Sequence, residues 1–443
     1  MKLWEKGTPI NNVIEKFTVG RDREMDLYLA SSDVLGTIAH IIMLESVGLL
    51  SSEELPILRK ELSNIYKLIQ IGNFKIEEGI EDVHSQVEYL LTERLGEVGK
   101  KVHSGRSRND QVLVDLRLFT RDNIIDVVDS VNVLFSSLIN LSNQYKNILL
   151  PGYTHLQIAM PSSFGLWFGA YAEALTDDLE LLLSAYRINN QNPLGSAAGY
   201  GSSFPLNRTL TTQLLGFDNL NYNVVYAQMG RGKVEKITSF ALANLASTIG
   251  RMATDLCLYM SQNFGFISLP DELTTGSSIM PHKKNPDVFE LIRARCNKIQ
   301  ALPVEINAIL GNLPSGYFRD MQMIKESYLP VFGEIQNIIE IANFMISKVK
   351  VNDCILEDPK YKYLFSVEVV NNAVLQGVPF RDAYKLVGKQ IAEGNFNPSF
   401  EINHTHEGSI GNLCNNQIKE KFNEIFISFN MDKIAQIKDE LLK

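Results

Sequence analysis

The sequence predicts an all-α protein built as a long-helix bundle, and three observations carry that prediction. Prolines are absent between Pro56 and Pro151 and again between Pro205 and Pro270, leaving stretches that nothing interrupts. Within the first, Ile124, Val127, Val128, Val131, Leu134, Leu138 and Leu141 keep a three-to-four-residue apolar period. Within the second, Val234, Ile237, Phe240, Ala241, Leu245, Ile249, Met252, Leu256 and Tyr259 do the same, which is the period of a helix. Sustained period-2 alternation is missing, and Asn-Gly or Asp-Gly hairpin pairs are few.

At 443 residues the chain exceeds what one core usually serves. The expected division is an N-terminal helical domain over 1–104, a central long-helix domain over 105–353 and a small helical domain over 354–443, the last broken by Pro359, Pro379 and Pro398. Asp110 to about Lys146 reads as one helix, and ~37 residues rising 1.5 Å each give ~55 Å. A helix that long needs partners along its length, so the bundle is expected to be shared between subunits. The net charge of -9 argues against a nucleic acid or an anionic membrane as partner, so any basic site is local. Cys257, Cys296, Cys354 and Cys414 contain no C-x-x-C pair, which gives neither a zinc spacing nor a disulfide framework. Met1 to Gly7 lacks an apolar signal core, and no window reaches about 18 unbroken apolar residues. The expectation is a cytoplasmic protein with no membrane span.

Four polar segments interrupt the helical pattern. Gly276-Ser277-Ser278-Ile279-Met280-Pro281-His282-Lys283-Lys284-Asn285-Pro286-Asp287 holds two prolines, two hydroxyls, two lysines and an amide, so it is a loop rich in donors and positive charge. A solvated loop with capping serines is the bland alternative, but loops between long helices are where scaffolds carry chemistry. His103-Ser104-Gly105-Arg106-Ser107-Arg108-Asn109-Asp110-Gln111 reads as a helix N-terminus. Its two arginines work against the helix dipole unless an anion sits there too. Pro151-Gly152-Tyr153-Thr154-His155-Leu156-Gln157 places a histidine beside a hydroxyl in a loop between helices, with a structural or bystander histidine as the alternative. Gly316-Tyr317-Phe318-Arg319-Asp320-Met321-Gln322-Met323-Ile324-Lys325-Glu326 is weak alone, since its polar groups also suit a helix surface. If Asp110 to Lys146 is straight, Asn109 and His155 lie at its opposite ends. A site using both must then be built from different subunits.

The loop at 276–286 resembles the signature G-S-S-x-M-P-x-K-x-N-P of the fumarase/aspartase superfamily. Ser104 to Gln111, Gly152 to Gln157 and Tyr317…Asp320…Gln322…Lys325 resemble the argininosuccinate lyase family within it, and Leu3-Trp4 and Asp33-Val34-Leu35-Gly36-Thr37-Ile38-Ala39-His40 fit the same family. The match runs from Trp4 to about Lys325. The resemblance implies a homotetramer with a central helix bundle, and active sites assembled from three subunits. It implies reversible elimination of fumarate from argininosuccinate to leave arginine, with no metal or organic cofactor.

Carried over residue by residue, Ser277 is the base for the Cβ proton, with Ser278 its rival, and His155 is the other acid–base partner, held by Glu290. A serine is a poor base unless its anion is stabilised, and the carboxylate that gathers charge needs pre-aimed donors. Lys283, Asn285 and loop N–H groups suit both tasks. Substrate contacts carried over are Thr37, Asn109, Thr154, Tyr317, Gln322 and Lys325, with Arg106 and Arg108 as added bidentate carboxylate partners. Asp82 either faces the substrate guanidinium or caps a helix. His282 departs from the glutamine common in the family, and Gly276 is a candidate hinge. The rival readings are adenylosuccinate lyase, aspartase, fumarase and a non-catalytic structural relative. That last drift would appear as losses among Ser277, His155, Lys283 or Glu290, all of which match. His404-Thr405-His406 offers two histidines to a metal without a third ligand nearby.

Overall fold

The computed structural model describes residues 11–443, without the side chain of Asn12; the Leu3-Trp4 pair lies outside the described residues. The chain opens with α1 (Asn12–Val19), α2 (Asp22–Asp26), α3 (Ala30–Ser46), α4 (Glu54–Gln70) and α5 (Val83–Leu95). The long helix α6 then runs from Arg108 to Gln144. It begins two residues before the expected Asp110 because Ser107 caps it, accepting from Asn109 N while Asp110 accepts from Ser107 N at 2.7 Å. That reciprocal box satisfies two otherwise orphaned donors. The other oxygen of Asp110 accepts from Gly195 N and Ala197 N at 3.0 and 2.9 Å, so the carboxylate is spent on structure. Burial pushes it up to about 6 against those donors.

Four more helices complete the bundle: α7 (Phe164–Asn189), α8 (Lys233–Met260), α9 (Asp287–Ile309) and α10 (Ile324–Ile346). They run up and down, and named bonds fix which ends meet. Arg117 near the start of α6 donates to the carbonyls of Ile188 and Asn189 at the end of α7. Ser142 near the end of α6 donates to Gly165 O at the start of α7, 2.7 Å away. That approach requires glycine, since a Cβ on Gly165 would lie 2.6 Å from Lys146 Cα and 2.9 Å from Ser142 O. Trp167 near the start of α7 donates to Asp255 near the end of α8, Lys236 of α8 reaches Asn307 of α9, and Arg295 of α9 reaches Asn337 of α10. One end of the bundle therefore holds the starts of α6, α8 and α10, and the far end holds the starts of α7 and α9. The separation is the length of α6, whose 37 residues rise ~55 Å.

The apolar period read from the sequence faces inward. Ile124, Val127, Val128, Val131, Leu134 and Leu138 are all fully buried, as are Ala241, Leu245 and Leu256. Phe240 belongs to the same period but points outward, 54% exposed, as do Leu291 and Val304 on α9.

The segment expected as a loop at 151–157 is instead the tip of an antiparallel hairpin, β1 (Leu149–Thr154) and β2 (Gln157–Ser163). Its turn residues His155 and Leu156 both take positive φ, 53° and 58°. Such turns favour Asn-Gly, so the His-Leu pair, with Pro151 and Gly152 in the strand, hid the hairpin. Segments Val13–Ser46 and Arg108–Gln144 are apolar enough by length and composition to cross a membrane. In the fold the first is broken into several helices, and both supply core residues.

The C-terminal residues serve three places. Around α11 (Ser366–Leu375) and α12 (Phe380–Ala392), Val370, Ala383, Val387 and Phe396 form a small core of their own. α13 (Asn415–Ile427) packs on the bundle, with Phe422 stacked on Phe135 at 3.8 Å. α14 (Met431–Leu442) returns to the first helices, where Arg59 donates to Glu440 O and Leu441 O.

Candidate active site

At the Asn109 end, a cavity of about 300 Å³ opens between α2, the α5 N-terminus, the start of α6 and the segment leading into α10. This is the lower end of the range for small-ligand sites. Four of the expected substrate contacts line it together with Arg108: Asn109, Tyr317, Gln322 and Lys325. Segments more than 200 residues apart thus meet because α10 starts where α6 starts.

The cavity is also lined by carboxylates that the sequence reading did not pick out, Asp22, Asp26 and Glu81. Lys325 is buried, with Nζ 2.8 Å from Asp22 and 2.5 Å from Asp26. Burial alone would discharge this lysine, but Asp26 and Asp22 outweigh it and hold its ammonium above the ordinary lysine value. Burial likewise pushes Asp22 up, against the pull of Lys325. The i, i+4 spacing of Asp22 and Asp26 was the available signal. Gln322 donates to the carbonyls of Thr18 and Val19, and Arg319 clasps Glu81 at 2.7 Å. Arg231 donates to Tyr317 OH at 2.7 Å and lies over its ring at 4.9 Å, fixing the phenol in place.

Both readings of Asp82 hold at once. It caps α5, accepting from Ser85 N and Ser85 Oγ, and its other oxygen meets Arg108 at 3.0 Å on the cavity wall. Burial works against its charge, but His84, Arg108 and Ser85 more than offset that and hold it below the usual carboxylate range. Arg108 is bound by Glu81, Asp82 and Ser85. Thr37 departs from the expectation. It is 1% exposed, is absent from the cavity lining and accepts from Arg106 at 3.0 Å, so it orients that arginine.

At the far end lie the other candidates. Ser277 Oγ accepts from Met280 N at 3.1 Å and from Ile279 N at 3.4 Å, so two backbone donors converge on one hydroxyl oxygen. The loop is closed at its neck, where Asn285 N donates to Thr275 O at 2.8 Å and Asn285 Nδ2 reaches Gly276 O. Thr275 Oγ1 also bonds Asp287. Lys283, Ser278 and His282 stand exposed on the loop, and Glu290 is exposed on the first turn of α9. Thr154 and His155 are exposed at the hairpin tip, on the same end, where Tyr153 packs edge-on against Phe264 at 5.3 Å. Among the described residues His155 and Glu290 do not touch. The structure therefore gathers two groups, Asn109 with Tyr317, Gln322, Lys325 and Arg108 at one end, and Ser277, Lys283, Asn285, Thr154, His155 and Glu290 at the other. It does not bring the two groups together within one chain. His404 bonds Glu368 at 3.0 Å and stacks on His406, so its ring is already partnered.

The sequence profile of a family described as Lyase matches residues 8–301. The argininosuccinate lyase of Parabacteroides distasonis is 63% identical over 441 residues, covering 100% of this chain and 99% of its own. That of Thermotoga neapolitana is 38% identical over 389 residues, covering 88% of this chain and 98% of its own. Among solved structures, EDDS lyase in complex with formate superposes with a TM-score of 0.76 at 20% identity, covering 98% of this chain and 95% of its own. The class II fumarase of Schistosoma mansoni gives 0.72 at 18%, covering 94% of each. These last two are likenesses of fold.

Proposed function

Since the chain belongs to the argininosuccinate lyase family, we propose that its two groups of polar residues are halves of shared active sites, completed by other subunits of a homotetramer. The activity is the reversible β-elimination of argininosuccinate to arginine and fumarate. The observation that carries this reading is the full-length match to argininosuccinate lyases at 63% identity. The ~55 Å length of α6, with Asn109 at its start and the His155 hairpin beyond its end, is what calls for more than one chain. The outward-facing Phe240, Leu291 and Val304 give an assembly something to bury. We place the enzyme in the cytoplasm, in arginine biosynthesis.

In this reading the fumarate half of the substrate lies under the 276–287 loop and the arginine half in the cavity at the Asn109 end. Ser277 takes the Cβ proton. The N–H groups of Met280 and Ile279 that point at its oxygen favour the alkoxide over the alcohol, and Lys283 adds charge to the same loop. That arrangement supports Ser277 over Ser278, which makes no hydrogen bond among the described residues. As the proton leaves, negative charge spreads into the neighbouring carboxylate, where Lys283 and Asn285 act as donors, the kind of stabilisation that is usually the largest catalytic term. His155 supplies the proton to the departing guanidine and recovers it in the reverse direction. Glu290 orients that imidazole across the subunit boundary, and Thr154 holds substrate beside it. Asn109, Tyr317, Gln322, Lys325 and Arg108 bind the arginine half, while Thr37 acts through Arg106.

The test is arginine release from argininosuccinate by the wild type and by Ser277→Ala. Fumarate absorbance does not serve, because every lyase of the superfamily that releases fumarate gives it. A folded wild type that releases no arginine rejects the activity. Full turnover in Ser277→Ala moves the base to Ser278 or elsewhere.

A further inference from the structure

Beneath the cavity at the Asn109 end lies a charge cluster that the chemistry above does not use. Asp33 on α3, His84 on α5 and Asp115 on α6 are 2%, 6% and 1% exposed. His84 Nδ1 is 2.6 Å from Asp33 Oδ1 and 3.4 Å from Asp115 Oδ2. The three donor atoms lie close enough for a metal ion. However, the His84 imidazolium and the Arg106 guanidinium already face Asp33 and Asp115, and burial with Asp33 pushes the Asp115 carboxyl well above its ordinary value, so cations of the chain itself already stand where a metal would.

His84 differs from the other cations of the cavity in how its donors are used. Lys325 faces Asp22 and Asp26, Arg108 faces Glu81 and Asp82, and Arg319 faces Glu81. The His84 ring also lines the cavity. Its Nδ1 is spent on Asp33, while Nε2 has no partner among the described residues. Counting His84 as charged, the lining carries four cations (His84, Arg108, Arg319, Lys325) against four carboxylates (Asp22, Asp26, Glu81, Asp82). A neutral lining of paired charges suits a zwitterionic amino-acid end.

We propose that His84 binds substrate: clamped at Nδ1 by Asp33 and Asp115, it turns Nε2–H into the cavity and donates it to the α-carboxylate of the arginine half. This rests on the reading that the cavity receives that half. Burial would discharge the ring, but Asp33 and Asp115, with Asp82, hold it charged up to about 10, so both ring N–H groups stay donors at neutral pH.

Arginine and agmatine share the guanidinium and the ammonium-bearing chain but differ by the carboxylate, so their inhibition constants isolate it. The wild type is expected to prefer arginine by about tenfold or more, the range of a charge-assisted hydrogen bond. In His84→Gln that preference falls toward one, KM for argininosuccinate rises by a similar factor, and inhibition by fumarate is unchanged. Should the glutamine variant not fold, His84→Gln/Asp33→Asn removes the carboxylate left bare and carries the same comparison. A wild type that does not discriminate, or a folded variant with its preference intact, overturns the assignment. So does an equal loss of fumarate binding, which marks general damage. Wild-type arginine release, measured first, separates the two layers. Its absence condemns the functional reading, whereas normal release with an unchanged preference condemns only His84.

Discussion

Mixing two inactive variants tests the shared site directly. Asn109→Ala removes a residue at the start of α6 and His155→Asn one in the hairpin that follows its end, so the 37 residues of α6, ~55 Å of helix, lie between the two lesions. If each site draws Asn109 from one chain and His155 from another, equal amounts of the two variants, unfolded together and reassociated at random, leave each contribution intact half the time. About one quarter of the sites then carry neither lesion, as independent draws from a closed symmetric oligomer require. The assay is arginine release from the refolded mixture, with the parental variants refolded alone as background and labelled subunits to confirm mixed oligomers. Recovery near a quarter of wild-type turnover is expected. If verified hybrids recover nothing above background, the site does not take Asn109 and His155 from different chains.

Two further outcomes follow from the buried lysine and the exposed stripe. Lys325→Met leaves Asp22 and Asp26 facing each other without the ammonium that bonds both, and breaking a buried pair this way costs about 3–5 kcal/mol, read by denaturant unfolding. Because the pairing raises Lys325 above its unfolded value of 10.5, its contribution is fully present below that pH. It is lost only as pH climbs through the folded value, so the deficit should be level from pH 7 to 10. A deficit that vanishes by pH 8 refutes the pairing. Phe240→Asp puts a charge on a side chain 54% exposed in the single chain. Sedimentation should show assembly lost and activity lost with it, while an assembled, active variant would place the interface elsewhere.

The helices were legible because their signal is local. The period through Ile124 to Leu138 is set by which face of α6 must be buried, and Ser107 with Asp110 announces the helix start. The hairpin was not legible, because Leu149 to Thr154 contains Pro and Gly and its turn lacks the residues that positive φ favours. Phe240 shows a second limit. Its period was read correctly, but a sequence does not say whether an apolar face is covered by its own chain or by another. Among site residues, Ser277 and His155 were found by resemblance, and the hydrogen bonds onto Ser277 emerge only from the turn that brings Met280 back. Asp22, Asp26, Glu81 and His84 were passed over because their meaning lies in what they face across the fold, and those partners are as much as about 300 residues away.

The return of α14 to the first helices has a consequence for how the protein is made. The bond from Arg59 to Glu440 spans 381 residues, and Leu441 belongs to the same apolar cluster as Leu58, Leu62 and Ile65. At 5–20 residues per second, the ribosome needs roughly 20–75 s to travel that distance. For that interval the apolar cluster of the N-terminal helices waits for Leu441, which completes it.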